Sequence, residues 1–322
     1  KKGSMNSQST QTEFQYIDGR RFHNVKGSMY ILSNDENEQD RLHLQHFLIR
    51  YVWQSNFSAP VEHILVKPGV KILDIGYIYE ANVLLKILRL TSHPLLVQFR
   101  CGAGSWSFDM ATTYPLIDVV GLDISPHQPT HIKPSNFTFI RVNVLESIPF
   151  EDNTFDFVFQ RFMSGAFTEE NWSYAISEIS RVLKPGGFLE LMEPSRLYDI
   201  GPITQRLWEA QITFRKQRGL DTNMPETLEK YLQNQDQLEN IKKEVKQIRH
   251  GAKFNDIQLD KLGINNLISL MAGLKSFTTK ILKVSDDEYD ELLKASEKEL
   301  SETEFYYYMV RVYANKATPN NN

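Results

Sequence analysis

Residues 71–76, KILDIG, and residues 101–111, CGAGSWSFDMA, decide how this chain is read. The first is a short apolar run that ends on Asp74, Ile75 and Gly76, the pattern of a parallel strand buried on both faces. The second opens with Gly102, Ala103 and Gly104 and continues as a helix over 105–114. With residues 77–100 set aside, the joint becomes Asp-x-Gly-x-Gly-x-Gly between a strand and a helix. Glycines at those positions let the backbone turn sharply and let a ligand lie against bare main chain. A carboxylate should then close the second strand, where it can hold both hydroxyls of a ribose. Asp123, at the end of DVVGLD (118–123), stands there.

Outward from that joint, strand-like and helix-like segments alternate. Strands are predicted over 137–142, 154–160 and 188–193, and a helix from the N-cap Thr168 to Leu183, stopped by Lys184, Pro185, Gly186 and Gly187. The order implies an α/β Rossmann-like, doubly wound and mostly parallel sheet. Pro126, Pro129 and Pro134 remove the helix expected between the second and third strands. Leu42, Leu44, His46, Phe47 and Tyr51 recur at helical spacing, which makes 36–56 an amphipathic N-terminal cap. Segments 203–218 and 226–239 form a helical lid. Strands over 244–250 and 306–314, with helices between them, form an antiparallel hairpin on the sheet edge. The organisation read from the sequence is thus a polar, disordered start and helical cap over 1–59, a ligand-binding core over 60–195 that contains the anomalous 77–100, a lid over 196–240, the rest of the core over 241–316, and a disordered tail over 317–322.

Composition excludes several classes. The 322 residues are 41% hydrophobic and 24% charged, with a formal net charge of −4, as in an ordinary globular protein. That balance argues against a nucleic-acid groove. One cysteine, Cys101, precludes an internal disulfide and points to a reducing compartment, the cytoplasm or the nucleus. The eight histidines show no metal-ligand spacing, so no metal is expected. The most apolar stretch, 81–100, carries Lys86, Arg89, His93 and Pro94 and does not read as a membrane span. The N-terminus has neither an apolar signal segment nor an initiator Met and reads as trimmed or as a cloning remnant.

A dinucleotide needs Gly-x-Gly-x-x-Gly and a free helix N-terminus for its pyrophosphate. Here the third glycine comes one residue earlier and Asp74 precedes the first, which suits a ligand with an ammonium and a sulfonium. Together with RVLKPGG (181–187) before the fifth strand, Asn143 and Val144 after the third, and the late hairpin, the chain resembles the class I S-adenosylmethionine-dependent methyltransferases over about 60–195 plus the hairpin. The stretches at 19–24, Tyr30, 34–36 and 40–46 resemble the N-terminal cap of a fungal subgroup, which includes small-molecule methyltransferases and relatives of a secondary-metabolism regulator. The resemblance implies that Asp74, Gly76, Gly102 and Gly104 hold the methionine part of S-adenosylmethionine and Asp123 its ribose. It further implies that Asn143 and Val144 touch the adenine, and Gln160 the methionine end.

The 24 residues 77–100 depart from the family pattern, because they separate glycines that should adjoin. They read as a real insertion or, the preferred reading, as a translated intron. The codons for Gly76, Tyr77 and Arg100 allow splice signals whose removal would restore Gly-Cys. Methyl transfer to an activated carbon depends chiefly on proximity and orientation, so no catalytic residue is obligatory. The candidates are His46 as a base, Arg161 as an orienting group and Glu193 at the carboxyl end of the fifth strand. The bland alternatives are a packing histidine, a surface ion pair and a carboxylate that never meets substrate. Trp106 either flanks the ligand or packs helix on sheet, the run Tyr306–Tyr308 reads as an alternating strand, and Lys242, Lys243, Lys246 and Arg249 read as a solvated face. Cys101 fills a place that needs a small side chain. The function expected is methyl transfer to a small-molecule acceptor, with no nucleic-acid or membrane partner. The alternatives are a catalytically silent regulator that acts through a protein partner, and the inactive product of an unspliced transcript.

Overall fold

The computed structural model describes residues 14–17, 20–23, 36–76, 104–123, 133–251 and 257–319. Cys101, Gly102, the segment 77–100, Pro126, Pro129 and residues 1–13 and 320–322 lie outside the described residues, whereas Ala317, expected in the disordered tail, donates to the Gln237 carbonyl at 2.8 Å. Strands β1 (Phe14–Ile17) and β2 (Arg20–His23) form a small antiparallel hairpin, which the sequence reading did not anticipate. There follow α1 (Glu36–Trp53), α2 (Glu62–Leu65), β3 (Lys71–Ile75), α3 (Ser105–Thr113), β4 (Asp118–Asp123), β5 (Phe137–Arg141), β6 (Phe155–Arg161), α4 (Glu169–Val182) and β7 (Leu183–Tyr198). The remaining elements are α5 (Pro202–Gln217), α6 (Leu228–Gln233), β8 (Leu238–His250), α7 (Ile257–Gly273), α8 (Lys275–Leu282), α9 (Asp286–Glu302) and β9 (Phe305–Lys316).

Seven strands form one sheet in the order β5-β4-β3-β6-β7-β9-β8. The first five run parallel, and β9 is antiparallel to both β7 and β8. This is the doubly wound sheet with the late antiparallel hairpin. The apolar runs are unbroken because both faces are covered. Ile72, Phe157 and Phe159 pack with Trp53 of α1 and Trp106 of α3 on one side. Leu73, Ile75 and Val158 pack with Trp172 and Ile176 of α4 on the other. Each face is therefore read by a period of two along strands that carry no polar alternation.

The helix after β6 is capped as its first residues require. Thr168 Oγ1 accepts from the Asn171 N–H, and Asn171 Oδ1 accepts from the Thr168 N–H, both at 3.2 Å. RVLKPGG works as a structural buckle. Arg181 donates to the carbonyl oxygens of Ile148 and Phe150, both at 2.8 Å, and to Glu178 and Asp152. A Cβ on Gly187 would stand 2.9 Å from the Lys184 oxygen and 3.0 Å from that of Asp156, so only glycine fits there.

Three expected boundaries move. The fifth strand, predicted over 188–193, is β7, which runs from Leu183 to Tyr198. The second lid helix, predicted over 226–239, is the six-residue α6, and β8 begins at Leu238 rather than at 244. As an edge strand with mostly exposed residues, β8 lacks the alternation by which a half-buried strand is found. The lysine cluster lies on it, and Lys246 donates to the carbonyls of Val52 and Trp53. Helix α5, in the segment read as a lid over 196–240, does not stand alone. Leu207 of α5 shares a core with Ile264, Leu267 and Met271 of α7 and with Tyr289 and Leu293 of α9. The cap helix joins that assembly where Arg41 Nη1 donates to Asn266 Oδ1 at 3.2 Å. Among the described residues no helix is long and apolar enough to cross a membrane.

Candidate functional site

The carboxyl ends of β3, β6 and β7 and the first turn of α3 form the floor of one cavity, α1 forms a wall, and α5 and α7 roof it. Open parallel sheets bind ligands at this end, where the crossovers diverge. Asp74, the last residue but one of β3, is buried there and accepts from Ser107 Oγ at 2.5 Å. Burial raises its carboxyl above the usual range, opposed by the Arg161 cation and the Ser107 hydroxyl. Gly76 follows directly, and Gly104 caps α3 with φ at 136°, a conformation strained for any side chain. Gly102 lies outside the described residues.

Asp123 ends β4, buried, and its carbonyl accepts from the Val142 N–H at 2.8 Å. Asn143 and Val144 therefore lie beside it. The Asn143 side chain folds its own turn by accepting from the Leu145 N–H at 3.1 Å, and Val144 packs with Leu122 and Ile148. Gln160, the last residue but one of β6, is 1% exposed, and its backbone pairs with Ile75 and Leu191. Neither its Oε1 nor its Nε2 has a hydrogen-bond partner. A buried amide left so costs stability in the unliganded protein.

The three catalytic candidates sit within this region in different roles. Arg161 Nη1 donates to His46 Nδ1 at 3.2 Å, and His46 Nε2 lies 3.5 Å from Asp109 Oδ2. Asp109 also binds Arg50 at 2.6 Å and Asn56 at 3.0 Å. Burial pulls His46 down to about 4, so the ring is neutral at pH 7. Since guanidinium can only donate, the ring proton sits on Nε2, which faces Asp109 without closing a hydrogen bond. The basic nitrogen is already engaged, and the ring braces Arg161 rather than offering itself to a ligand. Burial lowers Arg161 to about 10, with Asp74 and Asp109 opposing, and it stays charged. Glu193 is buried and accepts from the backbone N–H groups of Met163 at 2.6 Å and Ser164 at 3.3 Å, which fixes the turn after β6. Burial pushes its carboxyl up to about 7. Trp106 stacks on Phe159 with centroids 4.3 Å apart and planes at 6°, so it packs helix on sheet.

The roof holds residues that the sequence reading did not single out. Trp208, Gln211, Ile212 and Arg215 of α5 face the cavity opposite Leu270 of α7 and Leu274, the N-cap of α8. Arg215 Nη2 donates to the Ser164 and Asp221 carbonyls at 2.8 and 3.3 Å. In sequence these are the inner face of an ordinary amphipathic helix. Among the described residues no group of three or more His, Cys, Asp or Glu side chains could hold a metal ion.

A family model described as a methyltransferase domain matches residues 97–187, beginning after β3 and most of the 77–100 segment. The methyltransferase pytC of Aspergillus terreus is 26% identical over 282 residues, 85% of this chain and 77% of that protein. The secondary metabolism regulator laeA of Aspergillus fumigatus is 28% identical over 195 residues, 59% of this chain and 44% of that protein. Among solved structures, phosphoethanolamine N-methyltransferase 2 of Haemonchus contortus in complex with S-adenosyl-L-methionine aligns over 92% of this chain and 62% of that one, with 18% identity and a TM-score of 0.46. Residues 97–187 are thus similar to a methyltransferase domain, and 85% of the chain aligns with a fungal methyltransferase.

Proposed function

We propose that the protein transfers a methyl group from S-adenosylmethionine to a small-molecule acceptor by in-line displacement. The observation that carries this reading is a roofed cavity that opens directly onto Asp74, Gly76 and Gly104. The residues present fit the cofactor. A buried carboxylate beside two glycines suits an amino acid end, a second buried carboxylate at Asp123 suits a ribose, and the unpartnered Gln160 amide can both donate and accept. In this reading Asp74, Gly76, Gly102 and Gly104 hold the methionine part, Gln160 its end, Asp123 the ribose, and Asn143 and Val144 the adenine. When bound, the cofactor supplies a methyl group activated by its sulfonium.

The chain's own residues then have to bind, orient and exclude water. Arg161 lines the floor, where its hydrogen bond to His46 holds it. Glu193 holds the turn carrying Ser164 and Gly165, which line the floor, and the lid helices keep water from the reacting atoms. No side chain is required as a base when the acceptor already has a free lone pair.

Calorimetric titration with S-adenosylmethionine and turnover against a panel of small-molecule acceptors test the reading. Absence of cofactor binding would sink the site assignment. The similarity to laeA favours a second reading, a methyltransferase-like regulator that acts through a protein partner. Cofactor binding without turnover on any acceptor would support that alternative.

A further inference from the structure

The lid side of the cavity carries an unmet demand for oxygen. Gln211 and Arg215 are four residues apart on α5 and so share one face of the helix. Gln211 is 3% exposed and its Nε2 has no partner, and the Arg215 Nε is equally shielded and equally unpartnered. Both atoms are N–H donors, so what both lack is an acceptor. The carboxylates behind Arg215 are already occupied. Asp221 accepts from the Asn223 N–H, Thr227 Oγ1 and Tyr231 OH, and Glu193 accepts from the two backbone N–H groups of the β6 turn. The charges lining the cavity lean one way: Arg41, Arg161, Arg196 and Arg215 stand against the single carboxylate of Asp74. Around them the surface is apolar, with Trp208 and Leu270 among the walls.

We propose that the methyl acceptor is an amphiphilic carboxylic acid, and that Gln211 and Arg215 receive its carboxylate while its apolar body lies between α5 and α7. The planar guanidinium offers a fork that matches two carboxylate oxygens, and a charge-assisted hydrogen bond in a shielded site is stronger than a neutral one. The remaining arginines add an electrostatic preference for an anion. This proposal rests on the reading of the cavity as the acceptor site and adds the acceptor's chemical class.

The test uses 3-phenylpropanoate and its neutral isostere 3-phenylpropanamide as probes. Each is titrated calorimetrically into the full chain preloaded with S-adenosylhomocysteine. The acid is expected to bind at least about tenfold tighter than the amide, ~1.4 kcal/mol. Gln211→Leu should reduce that preference several-fold and Arg215→Met should abolish it, each with S-adenosylhomocysteine affinity unchanged. Arg215 also ties down the Ser164 carbonyl, so its variant could unfold. Gln211→Leu removes no hydrogen bond with a described partner, and it keeps the test decisive on its own. Equal binding of acid and amide, no binding of the acid at concentrations up to about 10 mM, or a preference that survives Gln211→Leu undiminished would overturn the proposal. If S-adenosylhomocysteine itself fails to bind, the cofactor assignment falls. The acid and amide titrated into the unloaded chain then still decide the subsite.

Discussion

Replacing Gln160 with methionine should move stability and cofactor affinity in opposite directions. The native side chain buries two polar amide atoms with no partner, between the neighbouring strand residues Ile75 and Leu191. An unsatisfied buried polar group costs about 1–3 kcal/mol, whereas an apolar replacement of similar shape carries no such penalty. Methionine has nearly the same length and volume and fills irregular space well. The unliganded variant should therefore be more stable by roughly 1–2 kcal/mol. At about 2–4 °C per kcal/mol for a domain of this size class, its midpoint should rise by roughly 2–8 °C. The cofactor should lose the hydrogen bonds that make the orphaned amide worth keeping. A loss of about 1–3 kcal/mol lowers affinity roughly 5- to 150-fold. Thermal unfolding without ligand and calorimetric titration with S-adenosylhomocysteine read the two quantities separately. The stabilisation given by a fixed excess of ligand should also shrink in the variant. A variant that melts lower without ligand, yet binds S-adenosylhomocysteine as the native chain does, would refute the reasoning. It would show that the amide serves the fold and not a ligand.

Four further outcomes are expected. Asp123→Ala should weaken S-adenosylhomocysteine binding by about 10-fold or more in calorimetry, because a carboxylate accepting from two hydroxyls contributes more than a neutral pair. Arg181→Met should lower the urea midpoint, by about 1–3 kcal/mol of stability for the stranded Ile148 and Phe150 carbonyls, and leave cofactor affinity alone. His46 is held near 4 when folded and titrates near 6.5 when unfolded, so the unfolded chain binds the extra proton between those values; its contribution is complete above pH 6.5 and is lost as pH falls toward 4, by at most about 3 kcal/mol, and denaturant midpoints of His46→Gln should fall less steeply over that window. Deleting residues 77–100 joins Gly76 to Cys101 and should strengthen S-adenosylmethionine binding; binding that is lost or unchanged would remove the intron reading.

The parts legible in the sequence are those whose causes are local. KILDI, DVVGLD and FDFVFQ are runs that only a doubly covered strand tolerates, and each forms a strand within one residue of its expected limits. Thr168 and the KPGG stop likewise bracket α4 through contacts within a few residues. The misjudged elements depend on partners far away in the chain. β8 is a strand only because β9 pairs with it, from Leu238 opposite Lys316 to His250 opposite Phe305. Its own pattern of Glu and Lys residues has no strand period. For His46 the sequence left open a base and, as the favoured reading, a packing histidine, and its surroundings in the structure agree with the latter. That it is neutral and spoken for follows from Arg161, 115 residues later, which no local pattern could announce.

The same division runs through the site, and it has a physical cause. In the proposed site the cofactor half is built from turns, where backbone conformation limits the residue types allowed, so glycine and aspartate at fixed offsets carry the information. The acceptor half is built from helix faces, where any side chain of the right size maintains the fold. Gln211 satisfies the pattern of α5 as well as a leucine would, and its polarity, like that of the Arg215 Nε, shows only when the partners are counted and found missing. A helix that buried the unmatched Gln211 donor for no ligand would be less stable than one with an apolar residue there, by about 1–3 kcal/mol. Retaining it is understandable if something else supplies the oxygen. On the proposed reading the choice of acceptor lies in the lid and cap helices, and the glycine turn that carries the family resemblance contains little information about it.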